Sequence, residues 1–400
     1  MARMDSRSAN VSAVVVGGEL NGLGVVRSLA RHGIRTLTVD MESRAAFWSR
    51  HTQGRLIRNL EGREFIDDMI EIGRRMSEPP VLMLTAEPAV HAVSENIDEI
   101  SKWFRVRIPT DEKVKLLSSK ASFHVFAQVN DFEVPRTVVL ESVSDMALLA
   151  VLQFPCVMKP DDKRSALSGK KERALRIETL KEAREQAAVM LETPGGIVVQ
   201  EWIEGADSNI YFTLFYRGAD GRPIATFTGR KLSCYPRNVG STAVCVAAPD
   251  AHKVLEPITL AFAECASMAG MGSMEYKWDD HRRKFVMIEP TVGRTDWQEE
   301  IATLCGTNIP VAAYQHELGL PVTTATANRV SVAWRASIAD KPPPQLLTGI
   351  TEIVDGYFRT EDPFPALRQY CMGNPLRRLR QMMQRDVITN RPENLLSGRN

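Results

Sequence analysis

Residues 272–294 read GSMEYKWDDHRRKFVMIEPTVGR, and this stretch decides how the chain is read. Two short apolar-alternating runs flank the polar turn Asp279-Asp280-His281-Arg282-Arg283, the pattern of a β-hairpin. Side chains alternate faces along a strand, so Glu275 and Lys277 share one face. With the turn centred near His281, Glu275 opposes Met287, and Glu289 lies one diagonal step away on the same face. Two carboxylates and a lysine then converge, with Thr291 and Arg294 just beyond the strand end. Neighbouring carboxylates repel unless a cation or proton sits between them. Magnesium suits that place, since it takes hard oxygen ligands and is commonly held by one or two carboxylates plus substrate phosphates. An exposed hairpin face with solvated charges is the competing reading.

Working outward, 400 residues suggest two or three domains at about 150 residues each. The hydrophobic share of 44% and charged share of 25% are ordinary for a globular chain. Lysine plus arginine number 50 against 49 acidic residues. That balance gives no general pull toward nucleic acid or a membrane surface. Six scattered cysteines show neither metal-site nor disulfide spacing. The start of the chain has only a short apolar run, so no leader or membrane span is expected. A cytoplasmic protein is the expectation.

Towards the N-terminus, the run 11–16, glycines at 17, 18, 22 and 24, a helical pattern, and a second apolar run ending at Asp40 form one βαβ unit. A helix near 62–76, a strand at 81–85 and a helix over 94–102 follow. The next block predicts a helix over 112–130, an extended 134–139, a helix at 143–153 and a strand at 155–159. A polar loop (161–172) leads to a helix at 179–192 and a strand at 197–201. Strands fill 208–247, and a helix over 251–269 enters the hairpin. Beyond Leu320 the pattern weakens. Pro342-Pro343-Pro344 reads as a linker, the basic 376–385 as a solvated helix face, and the last dozen residues as a disordered tail.

Four further motifs carry chemistry. The glycine turn with Asp40 could take an anion at a helix N-terminus and a ribose at the strand end, but its spacing is not that of a dinucleotide fingerprint. Lys120 begins an amphipathic helix, and Lys159 ends the buried run PCVMK. A lysine drawn inward needs a partner, and phosphate oxygens supply one. The loop after it carries cations, with Ser168 and Gly169 small enough for close approach. In Gln200-Glu201-Trp202-Ile203 a strand breaks toward a glycine turn, exposing backbone groups that can read an adenine edge. Asp207 is placed to take ribose hydroxyls. Of the adjacent Arg230 and Lys231, opposite faces allow only one into a cleft, and Arg230 is the favoured one.

In this order the motifs resemble the ATP-grasp superfamily over about residues 11–320. GGELNGLGVVRSLARHGI (17–34), GRKLSCYPRNVGST (229–242) and the E-x-K at 275–277 are similar to bacterial carboxylate–amine ligases of the D-aspartate ligase type. The resemblance implies an α/β and α+β fold: a Rossmann-like pre-ATP-grasp domain (1–110), then a two-lobed ATP-grasp domain. Its small lobe would span 111–195 and its nucleotide and metal lobe 196–325, with a C-terminal extension at 326–400. It implies an ATP-dependent ligase that joins a small-molecule carboxylate to an amine through an acylphosphate, with ATP and two Mg2+ ions.

Carried over by position, Lys120, Lys159, Ser168 and Gly169 would meet the phosphates. Gln200, Glu201, Trp202 and Ile203 would hold adenine, and Asp207 the ribose. Glu275, Glu289 and Thr291 would hold metal, and Arg230, Lys231, Lys277 and Arg294 would act on the transferring group. The family pattern E-x-N-x-R here reads Glu289-Pro290-Thr291-Val292-Gly293-Arg294, with threonine for asparagine and one extra residue before the arginine. Two alternatives stay open: a nucleotide-binding protein without turnover, and a nicotinamide- or flavin-dependent oxidoreductase resting on residues 17–40. For the segment after 320, closure over the site and a homodimer contact are both open readings.

Overall fold

The computed structural model describes residues 12–161, 175–192, 196–238, 240–322, 329–342 and 344–371. Ser168 and Gly169, expected to meet phosphates, and the basic stretch 376–385 lie outside them.

The N-terminal sheet is parallel, with order β3-β2-β1-β4. Its strands are β1 (Ala13–Val16), β2 (Thr36–Asp40), β3 (Thr52–Leu56) and β4 (Val81–Leu84). β1 is wholly apolar because it is buried on both faces. Helix α1 (Leu20–Ala30) crosses between β1 and β2, and α2 (Gly62–Arg74) follows β3. The glycines that suggested a dinucleotide serve packing. A Cβ on Gly22 would stand 1.9 Å from the Gly17 carbonyl oxygen. Asp40 accepts from the Gly18 N–H at 2.7 Å and the Met41 N–H at 2.6 Å, so its carboxylate closes the turn instead of facing a ribose. The helix expected over 94–102 is two pieces, α3 (Glu87–Glu95) and α4 (Ile97–Ile100).

The helix expected over 112–130 is also two, α5 (Asp111–Ser118) and α6 (Lys120–Val129). Ser119 leaves helical geometry between them, and its hydroxyl accepts the Ser122 N–H at 3.1 Å as an N-cap. A second sheet, order β5-β8-β6-β7, contains β5 (Thr137–Leu140), β6 (Cys156–Pro160), β7 (Leu175–Ile177) and β8 (Ile197–Glu201). Its neighbouring strands pair antiparallel. Helix α7 (Leu180–Met190) buries Ala183 and Ala187 in the same core as Leu140, Met158 and Val199.

The large sheet runs β13-β12-β9-β10-β11-β14-β15. It consists of β9 (Ile210–Arg217), β10 (Pro223–Tyr235), β11 (Ser241–Ala247), β12 (Gly270–Asp279), β13 (Lys284–Val292), β14 (Val332–Arg335) and β15 (Glu352–Asp355). Helix α8 (Pro249–Cys265) shares one core with the hairpin through Phe262, Met274, Tyr276 and Met287. β8 pairs within the small sheet, and β14 and β15 pair within the large one. After β15 the chain returns to α1, where Asp362, fully buried, accepts from Arg27 Nε at 3.0 Å and Ser49 Oγ at 2.9 Å.

Candidate active site

The β12–β13 hairpin turns its apolar face onto α8, where the Tyr276 hydroxyl meets Thr259 Oγ1 at 2.7 Å. That anchoring sends Glu275 and Lys277 to the opposite face, into a cavity of about 280 Å3 lined by both sheets. One register detail differs from expectation. A bulge between Glu275 and Tyr276 makes Glu275 pair with Glu289, while Tyr276 pairs with Met287. The extra residue, Ile288, brings the two carboxylates directly opposite. Opposed residues have Cβ atoms about 4.5–5.5 Å apart, so the two charges face each other more closely than a diagonal pair would.

The cation beside them is Lys231, whose Nζ lies 2.5 Å from Glu275 Oε2. Burial works against the Lys231 ammonium, but Glu275 outweighs it and holds the lysine charged, its pKa above the ordinary value. Lys231 therefore enters the cavity. Arg230, the expected one, points to the other face of β10, where its guanidinium bonds the Ser208 carbonyl and stacks 5.5 Å from Tyr211. Strand alternation permits one of the two, and the bonds Arg230 makes on the outer face leave the cavity to the shorter cation.

Lys159 reaches the same cavity from β6, and Gln200, Glu201, Trp202 and Ile203 from the end of β8. Gln200 is less available than its position suggests. Its amide donates to His124 Nε2 at 2.7 Å and to Thr137 Oγ1 at 3.1 Å. His124 is held neutral, with its pKa lowered to about 4 by burial and by nearby Lys159. Lys120 stands one helical turn before His124 on α6 and adds to that effect, but it is not among the residues lining the cavity. Trp202 lies between two cations, with Arg176 and Lys277 each 5.0 Å from its ring. Burial lowers the pKa of Lys277. The turn charges also have a function: Arg282 reaches Glu201 at 3.0 Å and Asp279 at 3.3 Å, which ties the hairpin to the small sheet.

Three expected positions fall elsewhere. Asp207 accepts the Cys234 and Asn238 N–H groups at 2.8 and 2.9 Å, so it shapes the turn after β10 and does not line the cavity. Thr291 pairs with Ser273 two residues along the hairpin and is likewise absent from the lining. Arg294 opens into a second cavity. In their stead the cavity gains Asp296, Trp297 and Gln298, a run that sequence reasoning passed over. Asp296 Oδ2 accepts from Ser273 Oγ at 3.2 Å and Gln298 Nε2 at 3.0 Å. The available signal was the polar Thr295-Asp296-Trp297-Gln298 directly after the carboxylate strand.

Among the described residues, no three acidic, histidine or cysteine side chains could hold a metal by themselves. Glu275 and Glu289 supply hard oxygen donors on one wall, a set that suits magnesium when phosphate oxygens complete the shell.

No protein-family model matches the chain, and no curated protein is found similar to it. Solved structures are. The N5-carboxyaminoimidazole ribonucleotide synthetase of Thermus thermophilus superposes with a TM-score of 0.61 at 15% identity, covering 83% of this chain and 85% of that one. The Campylobacter jejuni biotin carboxylase, solved as a complex with β,γ-ATP, gives 0.60 at 13% identity over 84% and 79%. The biotin carboxylase domain of the Hydrogenobacter thermophilus 2-oxoglutarate carboxylase, in complex with MgADP, ADP and bicarbonate, gives 0.59 at 15% over 80% and 72%. At such identities the likeness speaks for architecture alone: a parallel N-terminal sheet followed by two further sheets. The chain therefore shares the fold of these enzymes.

Proposed function

We propose that the protein is an ATP-dependent carboxylate–amine ligase, forming an amide through an acylphosphate and releasing ADP and phosphate. One observation carries the reading. The opposed Glu275–Glu289 pair and the buried Lys231 share a cavity with Lys159 and the strand end 200–203. Phosphoryl transfer asks a protein chiefly for positioning and charge stabilisation, and these residues supply both.

In this reading Lys159 neutralises phosphate oxygens, and Trp202 and Ile203 border the base. Magnesium, when bound, would neutralise the polyphosphate and polarise the transferring group, held by Glu275 and Glu289. Lys231 and Lys277 keep positive charge on the wall where negative charge develops. Lys231 already bonds Glu275, so it also keeps that carboxylate oriented. The complexes with MgADP and an ATP species among the similar structures support the choice of nucleotide.

The test is a calorimetric titration of magnesium–ATP, with NAD as control, followed by a search for ADP release that depends on an added acid. Magnesium–ATP binding with acid-dependent ADP release bears the reading out. Absence of ATP binding sinks it, and NAD binding would move function to residues 17–40. The position of Thr291 outside the cavity favours a second reading, a nucleotide-binding protein without turnover. ATP binding without ADP release across a broad set of acids and amines would select that one.

A further inference from the structure

Gln200 lies near the end of β8, lines the first cavity and is only 5% exposed. A primary amide has two ends of opposite character, an oxygen that accepts and an NH2 that donates. Turned one way, Gln200 offers an acceptor to whatever fills that part of the cavity. Turned the other way, it offers a donor. The two ends are nearly equal in size, so packing alone does not choose between them. Hydrogen bonds behind the amide do.

Thr137 stands directly opposite Gln200 in the β5–β8 pairing. Its hydroxyl donates to the Pro135 carbonyl at 2.9 Å. A carbonyl oxygen cannot donate, so the single hydroxyl proton of Thr137 is committed there. Toward Gln200 the Thr137 oxygen can only accept, and it takes one amide N–H at 3.1 Å. The backbone beside that carbonyl is fixed in turn, because the Glu201 N–H donates to the Arg136 carbonyl at 2.9 Å. The second amide N–H goes to His124 Nε2 at 2.7 Å. His124 is buried and neutral, so one ring nitrogen is free to accept. A neutral imidazole could serve either orientation of the amide by exchanging tautomers. The histidine therefore follows the choice that the threonine makes. With both N–H groups engaged, Oε1 is the atom that Gln200 offers to the cavity.

We infer that Thr137 is a positioning residue that acts through Gln200 to set which purine the cavity accepts. A base with an exocyclic 6-amino group donates to Oε1, whereas a 6-oxo group sets oxygen against oxygen. Neither Thr137 nor His124 lines the cavity, so the selection is made from behind its wall. A site built to hydrogen-bond a group rejects the analogue lacking it, because its own buried polar atom is left unpaired. The inference rests on the ligase reading for placing a nucleotide base beside residues 200–203.

The experiment titrates the magnesium complexes of ATP and of inosine triphosphate, its 6-oxo counterpart, into the full chain and three variants. The native chain should prefer ATP by at least about tenfold. Thr137→Val keeps the shape and removes the hydroxyl, so the amide can turn, with His124 donating to it in the other tautomer. That variant should bring the two affinities within about threefold, chiefly by tighter inosine triphosphate binding. Thr137→Ser retains the hydroxyl and should retain the native preference. Gln200→Met removes the acceptor and should lose the preference through weaker ATP binding. A merely structural role for Thr137 would weaken both triphosphates in proportion and leave their ratio unchanged. That outcome overturns the inference, as do a native chain without preference, a serine variant that behaves like the valine one, or a methionine variant that keeps the preference. Binding of neither triphosphate overturns it as well. Acid-dependent turnover that uses inosine triphosphate as readily as ATP would fail this inference alone. Selective ATP binding without ADP release for any acid and amine would fail the ligase reading alone.

Discussion

The two cavities are built by different means. The first takes its decisive side chains from strands, with Lys159 on β6, Lys231 on β10, Glu275 and Lys277 on β12, and Glu289 on β13. The second takes its side chains from strand ends, loops and helix starts that are far apart in the chain, from Gly17 to Trp297. Strand geometry constrains which residues share a face, so the first cavity can be reasoned out along the chain. Loop positions obey no such period, so the second becomes visible only when the sheets are assembled.

That contrast can be broken by mutation. The largest expected effect is at the hairpin. Glu289→Gln should lower acid-dependent ADP release by about 10²–10³-fold with the fold intact, and full activity would remove Glu289 from the metal site. Next is the clamp between α1 and the segment that follows β15. Arg27 and Asp362 are both buried and paired at 3.0 Å, and breaking such a pair costs about 3–5 kcal/mol. Asp362→Ala should therefore lower the melting temperature by several degrees, and an unchanged melting curve would show that the returning C-terminal segment is dispensable.

Lys159→Ala removes a charge-assisted contact of about 1.5–3 kcal/mol, so magnesium–ATP affinity should fall roughly 10- to 150-fold. Equal affinity in the variant would take Lys159 off the phosphates. A finer test sets Asp296→Asn against Thr291→Ala. The first should reduce turnover by more than about tenfold and the second by less than about twofold, because only Asp296 lines the cavity. The reverse order would restore the expected metal role of Thr291.

The smallest effect concerns pH. Burial, and then Glu300, raise the Glu299 carboxyl to about 8. Between its ordinary value of 4.5 and about 8 the folded state binds the extra proton, so stability falls as pH rises through that window. Glu299→Gln should melt higher than the native chain at pH 8.5 and lose that advantage near pH 4.5. An equal difference at both values would mean that Glu299 does not titrate there.

Much of the site was legible because short periods are local. The shared face of the E-x-K at 275–277 follows from alternation, the inward lysine from the buried run PCVMK that it ends, and all three side chains line the cavity. Arg230 was preferred over Lys231 because alternation says that one side chain enters, without saying which. That choice is made by the Ser208 carbonyl and Tyr211 on the outer face. Asp207 looked like a ribose ligand because a carboxylate after a glycine turn is unassigned until its backbone partners, here Cys234 and Asn238, are known.

The sequence by itself determined the N-terminal βαβ unit, the central hairpin with the face that carries Glu275 and Lys277, and the residue types that can meet phosphate and metal. These follow from periodicity and side-chain chemistry, which need no knowledge of distant neighbours. The tertiary structure alone decided the bulge at Ile288 that sets Glu275 opposite Glu289. It also placed β14 and β15 in the large sheet and divided residues 294–298 between two cavities. Each of those depends on pairing between segments remote in the chain, where burial and hydrogen bonding across the assembled sheets select one register among several that the local sequence permits.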